Sequence, residues 1–169
     1  MPIIFATMSA LHSINDIRAT LRGMDSADLM QLCLRMAKYK KENKELLSYL
    51  LYEAEDEASY IESVLNEMMI HFENIQDNGS YKLVKQIRKI GRWLNKPIKY
   101  SGLPGTQVEL LMHYCQSLQP WLIKKPNITA LQTIYLQQLK KIDAALEKMH
   151  EDLRGDYTKM RERLNKGLR

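Results

Sequence analysis

The sequence predicts an all-α protein, and three observations carry that prediction. Apolar residues recur at spacings of three and four along nearly every segment, and no stretch keeps the strict alternation of a strand. Glycine and proline total only 12 of 169 residues (7 Gly, 5 Pro), so turns are few and elements are long. The composition, 45% hydrophobic and 27% charged, suits a folded domain with one sizeable core.

Taken in order, residues 1–12 read as a disordered N-terminal extension, with Met8 a candidate start, and 13–155 read as a single helical domain. A short first helix runs from Ser13 to Arg22 and stops at Gly23. Asp25 or Ser26 caps the next, whose inward stripe is Leu29, Leu32, Cys33, Met36 and Ala37. The charged run "KYKKENKE" separates it from a helix with Leu46, Leu47, Leu50 and Leu51 inward, and two helices meeting near Lys41 are preferred to one. The acidic patch "EAEDEASYIE" opens a longer helix with Ile61, Val64, Leu65, Met68, Met69, Phe72 and Ile75 inward. It ends in "QDNGS", where Asn78 or Gly79 can take a left-handed conformation and Ser80 can cap the helix beyond.

That next helix, "YKLVKQIRKIGRWLNKPIKY", is two-faced. At 100° per residue, Leu83, Val84, Ile87, Ile90, Gly91, Leu94 and Ile98 fall within one arc. Lys82, Lys85, Arg88, Lys89 and Arg92 fall opposite, with Trp93 at the border beside Lys89. Gly91 lies mid-arc, where a missing side chain lets another helix come close. Lys96 and Lys99 join the cations only if the helix survives Pro97. After the break "YSGLPGT", Thr106 opens a helix with Val108, Leu111, Met112, Cys115 and Leu118 inward. "QPWLIKKPN" reads as a further break. Its Trp121, Leu122 and Ile123 are either an exposed anchor or a plug over the core. A long helix then spans Ile128 to Leu153, and residues 156–169 read as a charged, fraying tail.

Six or seven helices with short loops predict a compact antiparallel bundle; the alternative is a short HEAT-like α-solenoid. The stretches "LLSYLLYEAEDEASYIESV", "VELLMHYC" and "KKIDAALEKMHEDLRGDY" resemble segments of an uncharacterised all-helical bacterial family. The resemblance covers Ser26 to Tyr157 and implies an all-α domain with no activity attached.

Catalytic signatures are missing: there is no Gly-x-Ser-x-Gly and no phosphate-binding glycine loop, and Cys33 and Cys115 sit on inward stripes where a thiol is inert. Glu67 and His71, Glu109 and His113, and Glu147 and His150 are spaced as metal-ligand pairs. Their places outside or at the edge of the apolar arcs argue against a metal site, and no cofactor is implied. The free thiols, the lack of a signal peptide and the lack of a membrane-length apolar run predict a cytoplasmic protein that does not bind membrane.

Charge is the most specific signal. Residues 1–80 hold 7 basic and 13 acidic side chains, a net of −6, whereas 81–169 hold 18 and 7, a net of +11. The sequence therefore predicts a non-enzymatic adaptor whose polyanion-binding residues are Lys82, Lys85, Arg88, Lys89, Arg92 and Trp93. Its partner is an anionic macromolecule, either nucleic acid or an acidic protein surface. The runner-up is self-association as a homodimer, acidic half against basic half. A third reading is a metal-binding helical protein. The bland alternative is that Glu53, Glu55, Asp56, Glu57 and Glu62 screen the basic face within the chain.

Overall fold

The computed structural model describes residues 11–166, and most of the expected N-terminal extension lies outside them. Among the described residues there are eight helices and no strand: α1 (Ile14–Arg22), α2 (Ser26–Tyr39), α3 (Lys41–Tyr52), α4 (Glu57–Glu73), α5 (Ser80–Ser101), α6 (Pro104–Lys124), α7 (Thr129–Leu146) and α8 (Glu151–Lys166). The fold is all-α, with one helix more than the sequence predicts. The chain divides into two compact units, Met1–Leu47 and Ser48–Arg169.

In the first unit, local chemistry starts and stops the helices. Ser13 Oγ accepts the Asp16 N–H at 3.2 Å while the Asp16 carboxylate accepts the Ser13 N–H at 3.1 Å, a reciprocal cap on α1. Asp25 Oδ1 accepts the Asp28 N–H at 2.8 Å and caps α2. Lys40, in extended conformation, separates α2 from α3, and Asn43 Nδ2 donates to the Met36 carbonyl across that break. Neither α1 nor α2 contains a buried residue. On the stripe expected to point inward, Leu29 and Ala37 are half-buried while Leu32, Cys33 and Met36 are exposed, Met36 by 57%. The stripe is a shared apolar face of α2 without being a core. The inward face expected of α3 is likewise corrected: Leu46, Leu50 and Leu51 are exposed, and the buried residue is Tyr49.

The second unit holds the core. α6 packs against each of α4, α5, α7 and α8, and nine of its residues are buried. Leu83, Ile87 and Leu94 from α5, Met68 from α4 and Leu131, Tyr135 and Ile142 from α7 are all fully enclosed with it. Gly91 serves as its sequence position suggests. A Cβ there would lie 3.2 Å from the Tyr114 hydroxyl, which donates to the Ile87 carbonyl at 2.9 Å, so α6 sits tightly on α5.

Three boundaries differ from expectation, and one that the sequence leaves open is decided. α5 continues through Pro97 to Ser101, and Gly102, at φ 68°, ends it in the left-handed conformation. Proline's fixed φ fits a helix, and the cost is one hydrogen bond and crowding of the carbonyl four residues back. Here the ring is buried and the Pro97 carbonyl accepts the Tyr60 hydroxyl at 3.1 Å, which offset that cost. α6 likewise runs through Pro120; the carbonyl deprived of a donor belongs to Gln116, an exposed residue that water can serve. Leu122 is therefore a buried core residue, Trp121 is half-buried beneath the Lys124 ammonium, and Ile123 alone is exposed.

The long helix expected from Ile128 to Leu153 stops at Leu146, and the chain turns over 147–150. Arg154 Nη2 closes that turn by donating to the Met149 carbonyl at 2.9 Å and the Glu147 carbonyl at 3.3 Å. Residues 151–166, most of them assigned to a fraying tail, form α8 instead. Leu164 is only 3% exposed, and its carbonyl accepts the Tyr135 hydroxyl at 2.8 Å. Arg161 grips Asp143 with two bonds, 2.7 and 2.9 Å.

Candidate functional site

The basic helix is as two-faced in three dimensions as on the wheel. Leu83, Val84, Ile87, Ile90 and Leu94 are buried, while Lys82, Lys85, Arg88, Lys89 and Arg92 are all exposed. Among the described residues none of those five cations is in ion-pair contact with a carboxylate.

Of the carboxylates expected to screen them, Glu57 is engaged by hydroxyls, and the others form no ion pair with these five cations among the described residues. Asp56 caps α4 by accepting the Ser59 N–H at 3.1 Å. Asp77 accepts from Lys125 at 2.9 Å and Lys124 at 3.3 Å, and its carboxyl is held below the usual range chiefly by Lys125. Glu53, Glu55 and Glu62 are exposed and form no ion pair with α5.

Persistence of α5 past Pro97 keeps Lys96 and Lys99 in register with the other cations. Lys99 is exposed and Lys96 half-buried. The stripe from Lys82 to Lys99 therefore extends over about 25 Å at 1.5 Å per residue.

At its edge Trp93 is half-buried and sits edge-on to His71, with ring centroids 4.8 Å apart and planes at 72°. The two rings help line a pocket of about 200 Å³ with Asn74, Ile75, Gln86, Lys89 and Ile90. Gln86 holds the wall in place: it accepts the Gln76 N–H at 3.1 Å and donates to the Gln76 carbonyl at 2.9 Å. That clamp fastens the segment after α4 alongside α5. The His71 Nε2 atom is shielded and has no hydrogen-bond partner; Glu67 Oε1 is its neighbour at 3.7 Å, too far for a hydrogen bond.

The other Glu–His pairs do not assemble. Glu109 and His113 are half-buried rather than facing open solvent, and Glu109 accepts the Tyr157 hydroxyl at 3.2 Å. Glu147 and His150 fall in the turn between α7 and α8, where His150 Nδ1 lies 3.2 Å from Asp152 instead. Among the described residues no three of His, Cys, Asp or Glu gather as metal ligands. Cys115 is buried, and burial pushes its thiol up to about 12, whereas Cys33 is exposed.

Two structural features were missed in the sequence. Glu57 looks like one acid in a solvated patch, yet its carboxylate accepts three hydroxyls. Tyr49 donates to Oε2 at 2.7 Å, and Ser101 and Thr106 donate to Oε1. Burial, the largest single influence, raises the Glu57 pKa, but the three hydroxyls together outweigh it and hold the carboxyl below its ordinary value. Glu57 thus joins the starts of α4 and α6 to the ends of α3 and α5. It also lines an open cleft of about 400 Å³ with Glu109, Met149 and Tyr157, where both carboxylates are already engaged by hydroxyls of the chain. The second feature is the apolar spacing Tyr157, Met160, Leu164 on α8, a helical signal hidden among charges.

No helix among the described residues is long and apolar enough to cross a membrane. Comparison with protein-family models, with curated proteins and with solved structures finds no match to this chain.

Proposed function

We propose that the chain is a non-enzymatic adaptor, built on a compact helical bundle, that docks nucleic acid on the α5 face through Lys82, Lys85, Arg88, Lys89 and Arg92. One observation carries the reading: five exposed cations share a face with no carboxylate in contact among the described residues. Like charges one turn apart cost a helix a few tenths of a kcal/mol per pair, and no ion pair to these five cations among the described residues offsets that cost. A phosphate backbone does, because each neutralised phosphate releases condensed counterions. The spacing of these five cations along about 15 Å matches a linear polyanion better than a compact anion.

Fluorescence anisotropy with labelled RNA and DNA at two salt concentrations tests this. Five phosphate contacts give a slope of log affinity against log salt of about −4.5 on duplex DNA. Undetectable affinity at low salt, or affinity unchanged in Lys85→Glu/Arg92→Glu, overturns it. The second reading, a homodimer pairing acidic with basic surfaces, is favoured by the exposed carboxylates Glu53, Glu55, Asp56 and Glu62. A dimer that dissociates as salt rises, seen by sizing without nucleic acid, selects that reading instead. The two free thiols are the support for a cytoplasmic setting.

A further inference from the structure

We propose that the nucleic acid docked on α5 is single-stranded, and that the pocket between His71 and Trp93 receives one of its unpaired bases. The inference rests on the docking reading above and adds to it the class of strand.

Three observations point to a base. The pocket adjoins the cationic stripe, and Lys89 belongs to both: its side chain is exposed among the five cations and lines the pocket wall. A strand whose phosphates lie on Lys85, Lys89 and Arg92 therefore has the pocket within reach of a neighbouring base. Next, the lining is apolar where a flat ring needs it, with the Ile75 and Ile90 side chains and the Trp93 indole. Because the two aromatic rings meet edge-on, one of them keeps faces that its partner does not cover. Last, a polar group is left over for the edge of a base. Among the described residues, the Trp93 indole N–H forms no hydrogen bond within the chain, whereas the unpartnered His71 Nε2 atom is shielded. Gln86, by contrast, is spent on the clamp to Gln76.

Two other occupants fit less well. A backbone phosphate in the pocket would exchange water for isoleucine and indole with one lysine as counter-charge, a poor trade for an anion. A duplex keeps its bases stacked, and turning one out costs a few kcal/mol that an unpaired strand does not spend. Stacking on aromatic side chains is worth about 1–3 kcal/mol per base and tolerates any base, so recognition at this pocket is sequence-tolerant.

The test compares a labelled oligothymidylate with an abasic strand of equal length, which keeps every phosphate and lacks every base. The wild-type protein is expected to bind oligothymidylate about tenfold more tightly. Trp93→Leu collapses that ratio towards one, whereas Lys85→Glu/Arg92→Glu weakens both strands and preserves it. Equal affinity of the wild-type protein for the two strands overturns the base pocket and leaves the cationic docking face standing. Binding of neither strand at low salt overturns both. A second readout guards against a poorly folded Trp93 variant: in Trp121→Phe, Trp93 is the sole tryptophan. Its emission is expected to be quenched by bound oligothymidylate and not by the abasic strand. Emission unchanged with oligothymidylate fully bound rejects the pocket.

Discussion

The hydroxyl of Tyr114 occupies the space a side chain on Gly91 would need: an added Cβ would lie 3.2 Å from that oxygen. Replacing a helical glycine by alanine ordinarily stabilises by about 1 kcal/mol. Here the hydroxyl is tied to the Ile87 carbonyl at 2.9 Å and its ring is buried, so it has little room to retreat. Gly91→Ala is expected to lose that gain and destabilise by about 1 kcal/mol in urea unfolding. In a Tyr114→Phe background the obstruction is gone and the same substitution is expected to stabilise. A coupling of zero between the two changes would show that the close approach is not energetic.

Glu57 supplies a pH dependence. Its carboxyl pKa is depressed below the ordinary 4.5, so the folded state binds its proton less readily than the unfolded chain does. The stabilisation is fully present above about pH 4.5 and is lost as pH falls through the lower folded value. Glu57→Gln is expected to cost about 2 kcal/mol at neutral pH, because three buried or half-buried hydroxyls lose an anionic acceptor. The gap to wild type should close in acid. Parallel stability curves from neutral pH down through acid would disprove the role.

Leu164 is predicted to belong to the core rather than to a tail. Leu164→Ala should destabilise by about 2–4 kcal/mol in denaturant, the range for an enclosed leucine. Removing residues 156–169 should do at least as much damage. A loss below about 0.5 kcal/mol, the size of an ordinary surface change, would mean that α8 does not seal the core.

The two thiols should separate cleanly. Cys33 is exposed and Cys115 is fully buried with its pKa raised by burial to about 12. A thiol reagent at neutral pH is expected to label one cysteine at once and the second only on unfolding, with mass mapping placing the first label on Cys33.

Lys99 provides a check on the length of the docking stripe. Because α5 runs through Pro97, Lys99 shares the face of Lys82. Lys99→Glu should weaken nucleic-acid binding and reduce the salt slope by about one, as Lys82→Glu should. An effect at Lys82 but none at Lys99 would shorten the contact to the first turns of the helix.

The buried arc and basic wedge of α5 are legible in the sequence because 22 residues give the period several turns to repeat. Gly79, at φ 97°, and Gly102 mark the ends of that helix for the conformational reason that singles out glycine. Other features depend on partners that no local pattern names. The stripes of α2 and α3 say which residues share a face, but not whether anything covers it, so Met36 and Leu51 are exposed despite their spacing. Glu57 meets Ser101 and Thr106 across 44 and 49 positions, and among neighbouring acids its sequence signal is that of solvated charge. Local rules break the helix at Pro120 and leave it open at Pro97, yet both helices continue, because hydration at the first and burial at the second make the lost bond tolerable. The turn at 147–150 contains neither glycine nor proline. The docking face is thus readable as a face, whereas its pocket depends on His71, brought beside Trp93 by packing of α4 on α5.

The clasp of Leu164 by Tyr135 also bears on how the protein is made. Synthesis delivers α4, α5, α6 and α7 well before residue 164 leaves the ribosome, and until then the α6 and α7 surfaces that α8 covers face water. The nascent chain therefore passes through a stage with most helices present and one side of the core bare. Chaperone capture, or clumping of neighbouring chains on a crowded polysome, is expected to be greatest at that stage.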